Sequence, residues 1–129
     1  MIYEIEIKGQ PPSKKNSRNL FVRNGKMMNI PSKRYSEWHK YAMHQLNANK
    51  GLFVGNDRTI ERISLEFYVI DKRRRDLTNI AESVMDCLVD ATIIADDCWQ
   101  VVPCVFLKFA GVDKQNPRTI INIHFKTGE

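Results

Sequence analysis

The stretch Ile63-Ser64-Leu65-Glu66-Phe67-Tyr68-Val69-Ile70-Asp71-Lys72-Arg73-Arg74-Arg75-Asp76-Leu77-Thr78-Asn79-Ile80 contains the change of period that decides the fold class. Ile63, Leu65, Phe67 and Val69 alternate with Ser64, Glu66 and Tyr68, the period of a half-buried strand. Leu77, Ile80, Ala81, Val84 and Leu88 then recur at helical spacing, which predicts a helix over Leu77–Asp90. A strand running through a charged turn into an amphipathic helix is a unit of a helix-covered sheet.

Upstream, Tyr3, Ile5 and Ile7 alternate with charged residues and predict a first strand, stopped by Pro11-Pro12. The stretch Ser13–Asn29 carries five Lys or Arg and four Asn, too polar for a core element, and reads as an ordered loop with a hairpin at Asn24-Gly25. Ser32 is placed to cap a helix whose apolar face is Tyr35, Trp38, Tyr41, Ala42 and Leu46, ending before Gly51. Downstream, Ala91–Ala95 connects to Asp96-Asp97. Val101–Phe109 predicts a strand with Pro103 marking an edge or bulge. Asp113–Pro117 is a turn, and Thr119–Phe125 a last strand. The expectation is an α+β protein: one domain over residues 1–129, with a single mixed sheet carrying two main helices. The pattern does not fix strand order.

Composition narrows the function classes. At 129 residues and 43% apolar, the chain is long enough for one core without disulfides. Cys87, Cys98 and Cys104 are odd in number and lack CxxC spacing, which argues for free thiols in a reducing cytoplasm and against a zinc site. No apolar run reaches membrane-spanning length, and Met1–Lys8 lacks the apolar region of a secretory signal. The net charge of +5 favours a polyanionic partner. His39, His44 and His124 are scattered and receive no role. Trp99 reads as core or interface, and Phe21 as an anchor of the basic loop or a wedge into DNA.

The placement of charge says more than its sum. Arg73, Arg74 and Arg75, with Lys72, lie against a helix N-terminus, where the macrodipole is already positive. A solvated basic turn would explain them; so would phosphate, which matches both the guanidinium fork and the free N–H groups of a helix start. Asp76 is placed as an N-cap. Glu82 and Asp86, however, lie four apart on one helical face with Asn79, a like-charge pair that costs about 0.2–0.5 kcal/mol. Asp96 and Asp97 would add repulsion if they joined them. Divalent cations relieve such a cluster, and Mg²⁺ takes oxygen ligands of this kind. Carboxylates holding a metal beside phosphate-binding arginines suit hydrolysis of a phosphodiester. The set expected to hold metal is Asp76, Glu82, Asp86, Asp96 and Asp97, and that expected on DNA is Lys14, Lys15, Asn16, Lys72, Arg73, Arg74, Arg75 and Asn79.

Asp71 through Asn79, the helix with Asp86, then Asp96-Asp97, together with Pro11-Pro12-Ser13-Lys14-Lys15-Asn16-Ser17, resemble the signature of the RusA family of Holliday junction resolvases over nearly the whole chain. The resemblance implies a homodimer that binds four-way or otherwise branched DNA and cuts it symmetrically in recombination and repair. The implied cofactor is Mg²⁺, with Mn²⁺ as a substitute, and no organic cofactor. The implied setting is the cytoplasm of a bacterial or phage-infected cell. The essential family aspartates fall on Asp76 and Asp97. Two positions depart from the pattern: the second family aspartate is Thr78, and a helix lysine falls at Glu82. Glu82 would then supply the missing carboxylate, and Lys72, Lys14, Lys15 or an arginine the missing cation. The same departures motivate an alternative, a catalytically inactive protein that binds branched DNA.

Overall fold

A computed structural model describes residues 2–13, 18–23, 25–49 and 59–126, with the backbone alone for 18–23 and 26–31. The chain runs β1 (Ile2–Lys8), β2 (Arg18–Arg23), β3 (Lys26–Pro31), α1 (Lys33–Asn49), β4 (Ile60–Val69), α2 (Leu77–Asp90), β5 (Val105–Val112) and β6 (Arg118–Phe125). The main sheet is four-stranded and mixed, in the order β1-β6-β4-β5. β6 is antiparallel to both β1 and β4, so these two run the same way, and β5 is parallel to β4. Two strand–helix–strand crossovers result, through α1 and through α2, with β6 inserted into the first. A helix joining parallel strands must run back against them. Both helices therefore begin at the carboxyl end of β1, β4 and β5.

The alternation that predicts the strands also sets the core. Ile63, Leu65 and Phe67 of β4 meet Ile121 and Ile123 of β6 and Ile5 and Ile7 of β1 in one buried layer. Val84 and Leu88 of α2 and Ala42 and Leu46 of α1 close it from one side. Each such large side chain contributes about 1.5–3 kcal/mol through burial. The pairs Tyr35–Asp86 and His39–Asp90 advance together along the helices, so α1 lies beside α2, in the same direction and displaced along it.

The expected α+β class, the mixed sheet and the helix over Leu77–Asp90 all hold. Ser32 caps α1, its hydroxyl accepting the Tyr35 N–H at 3.1 Å. The basic loop contains a hairpin, β2–β3, forming a second two-stranded sheet, with Gly25 at φ +74 in its turn. Two expectations need correction. Tyr41 is 49% exposed and does not belong to the buried face of α1. The strand expected over Val101–Phe109 is Val105–Val112, because Val101 and Val102 both bond back to the Cys98 carbonyl in a helical turn before Pro103. β5 is an edge strand, in line with the proline before it.

Candidate functional site

At the carboxyl end of the parallel strands, where open α/β sheets gather their ligands, the loops after β1 and β4 enclose a cavity of about 390 Å³. Pro11, Pro12 and Ser13 form one wall, Arg73, Arg74, Arg75 and Asp76 another, Asn79 and Ile80 the helical floor, and Arg34 reaches in from α1. The walls are fixed. Ser83, fully buried on α2, donates its hydroxyl to the Pro12 carbonyl at 2.5 Å. Gln10 accepts the Ile70 N–H at 2.9 Å, joining the ends of β1 and β4.

The arginines divide by task. Arg75, 16% exposed, directs its guanidinium at its own turn, donating to the Asp71 carboxylate at 2.7 Å and to the Asp71 and Arg73 carbonyls. The Arg73 N–H and the Arg75 guanidinium hold the Asp71 carboxyl below its ordinary value. Arg73 is 85% exposed and only loosely paired with Asp71 at 3.6 Å, and Arg74 and Lys72 are also exposed. Arg75 thus braces the turn while its neighbours face solvent. Arg34 was not singled out from the sequence. The signal was there: like Arg73–Arg75, it lies at a helix N-terminus, in a first turn without acidic residues, where a cation is electrostatically misplaced.

Asp76 occupies the N-cap position of α2, but its carboxylate makes no capping bond. Instead it accepts from the Asn79 side chain at 3.2 Å, at the edge of the cavity. The plain reading of Asp76 as a cap is therefore not what its side chain does. The other carboxylates lie elsewhere. Glu82 is exposed on α2 and does not line the cavity. Asp86 accepts the Tyr35 hydroxyl at 3.3 Å, between the two helices, and burial and the Asp86 charge push that phenol above its ordinary pKa. Asp96 and Asp97 are exposed beyond the far end of α2. Their segment is tied there: Ala91 bonds to Cys87, Ile93 and Ile94 bond to Leu88, and the Cys104 carbonyl accepts the N–H of Ile63 near the start of β4. A helix of 14 residues is about 21 Å long, and it lies between Asp76 and the anchor of Asp97. Among the described residues, no three His, Cys, Asp or Glu side chains converge as a metal site would require. Lys14, Lys15 and Asn16 lie outside the described residues, though they follow directly from Ser13 on the cavity wall.

The site is thus a cavity in a small α+β domain, walled by arginines and edged by one carboxylate that makes no capping bond, an arrangement with the electrostatics of an anion site. The family model of endodeoxyribonuclease RusA matches residues 8–124, and the chain belongs to that family. The family is one of endodeoxyribonucleases, hydrolases that cut DNA internally. No curated protein matches the chain. Among solved structures, a 2C-methyl-D-erythritol 2,4-cyclodiphosphate synthase from Plasmodium vivax is similar at 10% identity and a TM-score of 0.41, covering 100% of both chains, a likeness too slight to bear on fold or function. Among the described residues, no helix is long and apolar enough to cross a membrane.

Proposed function

We propose that this protein is a divalent-metal-dependent endonuclease that resolves four-way or otherwise branched DNA as a homodimer, in recombination or repair. The observation that supports this most strongly is the Asp76 carboxylate, uncapped, at the edge of a cavity walled by Arg34, Arg73 and Arg74. The exposed guanidiniums grip backbone phosphates on either side of the bond to be cut, which positions the strand without reading its sequence. The N–H groups of the first turn of α2 face the same anion. Arg75 and Ser83 act one step back, holding the turn and the Pro11-Pro12 wall in register.

A metal fits this site only in part. Mg²⁺ is usually held by one or two carboxylates, water and substrate phosphate. One protomer offers Asp76 here, with the Asn79 amide bonded to it; Glu82, Asp86, Asp96 and Asp97 lie elsewhere on the same chain. A bound ion would lower the pKa of the attacking water and neutralise the phosphoryl oxygens. The second carboxylate is then Asp97 of the other subunit, since α2 keeps a chain's own Asp97 away. A two-fold dimer has two such composite sites, suited to paired incisions in the exchanging strands of a junction.

The test is cleavage of a synthetic four-way junction with Mg²⁺. Asp76→Asn and Asp97→Asn should each cut more than about 100-fold more slowly than wild type, a larger loss than removal of a ligand's supporting partner gives. Equal cutting by wild type and either variant would remove that residue from the site. Thr78 and Glu82 keep a second reading open, a DNA-binding protein without catalysis. It predicts salt-sensitive junction binding with no incision in any divalent metal.

A further inference from the structure

We propose that Asp86 is a positioning residue for DNA binding: by holding the Tyr35 hydroxyl it fixes the start of α1 against α2, and so sets where Arg34 stands on the cavity wall. The inference rests on reading the cavity as a site for DNA phosphates. It gives a task to a carboxylate that the hydrolytic site does not use. α2 carries a polar stripe beside its apolar face. Asn79, Ser83, Asp86 and Asp90 follow one another at steps of four, three and four residues, which keeps them on one side of the helix. Each holds something different. Asn79 donates to the Asp76 carboxylate at 3.2 Å, and Ser83 to the Pro12 carbonyl at 2.5 Å. Asp86 accepts the Tyr35 hydroxyl at 3.3 Å, and Asp90 meets Nε2 of His39 at 2.8 Å. The first two belong to the cavity itself. The last two fasten α1, with the Tyr35 and His39 rings stacked on each other, centroids 5.8 Å apart.

The two fastenings are unequal. The Asp90 side chain is 54% exposed, and an ion pair at the surface contributes little. Tyr35 is buried, and burial together with the Asp86 charge pushes its phenol up, so the hydroxyl remains a donor near neutral pH. Leaving a buried hydroxyl without its acceptor is unfavourable. A hydrogen bond is also directional, so this one selects a single register of α1 on α2. Tyr35 is tied at both ends: its N–H donates to the Ser32 cap at 3.1 Å, and its ring reaches α2. Arg34 stands between that cap and Tyr35, in the same first turn. It is exposed, so close packing does not fix its head, and its reach into the cavity follows the place of its helix start. Ser83 and Asp86 thus attach two separate walls of the cavity to one helix, the Pro12 wall and the Arg34 wall, about 4.5 Å apart along its axis.

The test reads affinity for a synthetic four-way junction by fluorescence anisotropy, without divalent metal, so it does not depend on cleavage. Asp86→Ala and Tyr35→Phe should each weaken binding about fivefold, the lower end of what losing one DNA contact gives. Tyr35→Phe keeps the ring and its stacking, so it reports on the bond even where Asp86→Ala does not fold. In an Arg34→Ala background, Tyr35→Phe should change affinity by less than about twofold, because residues that act through one another are not additive. Asp86→Asn, which keeps an acceptor oxygen in the same place, should recover most of the loss. Wild-type affinity in Tyr35→Phe, or full additivity of Tyr35→Phe with Arg34→Ala, overturns the proposal and leaves the nuclease reading standing. A wild type that binds no junction refutes the DNA reading and this inference with it. In the cleavage assay with Mg²⁺, a loss beyond about 100-fold in Asp86→Asn at unchanged affinity also overturns it, and makes Asp86 a metal ligand instead.

Discussion

The two ends of α2 are opposites. Its amino end is basic, walled and braced: Ser83 holds Pro12, Gln10 holds Ile70, and Asp71 holds Arg75. Its carboxyl end is acidic, exposed and edged with apolar side chains, and begins with Thr92 at φ +58, a conformation that disfavours a β-branched residue. One end has the form of a receptor for phosphate; the other has the form of something to be received. The difference teaches that a nuclease's acids and bases can be encoded together in a short stretch and still be kept apart by the helix between them. Parallel strands force that separation, because the crossover must return the length of the sheet before the next strand starts.

The contrast can be sharpened at the basic end first. Arg34→Ala should weaken junction binding by about 1–3 kcal/mol and lower the salt slope of affinity by about one, if Arg34 contacts phosphate as the cavity wall indicates. Filter binding over a salt series measures both. An unchanged slope would take Arg34 out of the DNA contacts.

Arg75 and Arg74 should differ in kind. Arg75→Ala removes the brace of the turn and should lower the melting temperature, whereas Arg74→Ala, exposed, should leave it unchanged and weaken DNA binding alone. The Asp71 partner adds a pH signature. Its carboxyl is held below the ordinary 3.8 by the Arg73 N–H and then by the Arg75 guanidinium. A depressed folded-state pKa contributes stability that is fully present above 3.8 and is lost as pH falls through the lowered value. The melting-temperature gap between wild type and Asp71→Asn should thus hold near neutrality and close only in stronger acid. A gap that instead widens as acid is added contradicts the pairing.

The smallest expected effect is at the acidic end. Thr92 occupies the left-handed position after α2 that glycine usually fills. Thr92→Gly should raise stability by about 1 kcal/mol in urea unfolding through relief of that strain. A loss of similar size would mean that the Thr92 side chain, whose hydroxyl donates to the Ala91 carbonyl, outweighs the backbone cost.

Much of this was legible in the sequence, for identifiable reasons. Period two and period 3.6 marked β1, β4, β6 and both helices, because burial on one side leaves a repeating trace. The basic turn stood out because its charges sit where a helix start does not favour cations, and Asp76 because it stands at that start beside them. Tyr41 misled because a helical stripe can run past the edge of what covers it. β5 was displaced because Val101 and Val102 have strand-like side chains but lie in a turn made by backbone bonds to Cys98. The expectation that Asp76, Glu82, Asp86, Asp96 and Asp97 would meet came from spacing and from the family resemblance, neither of which shows where the two ends of a helix lie. Topology decides otherwise within one chain: Asp86 is turned toward Tyr35, and Asp97 lies past the far end of the helix.

Subunit mixing tests the composite site most directly. Asp76→Asn and Asp97→Asn proteins, each inactive alone, are mixed, allowed to exchange and assayed on a four-way junction with Mg²⁺. If the two carboxylates act across the dimer, a mixed pair has one intact site, and about a quarter of all sites recover, cutting one strand per junction. If both carboxylates serve a site within one chain, every chain in the mixture carries a broken site. Cutting would then stay at the level of the separate variants, contradicting the account.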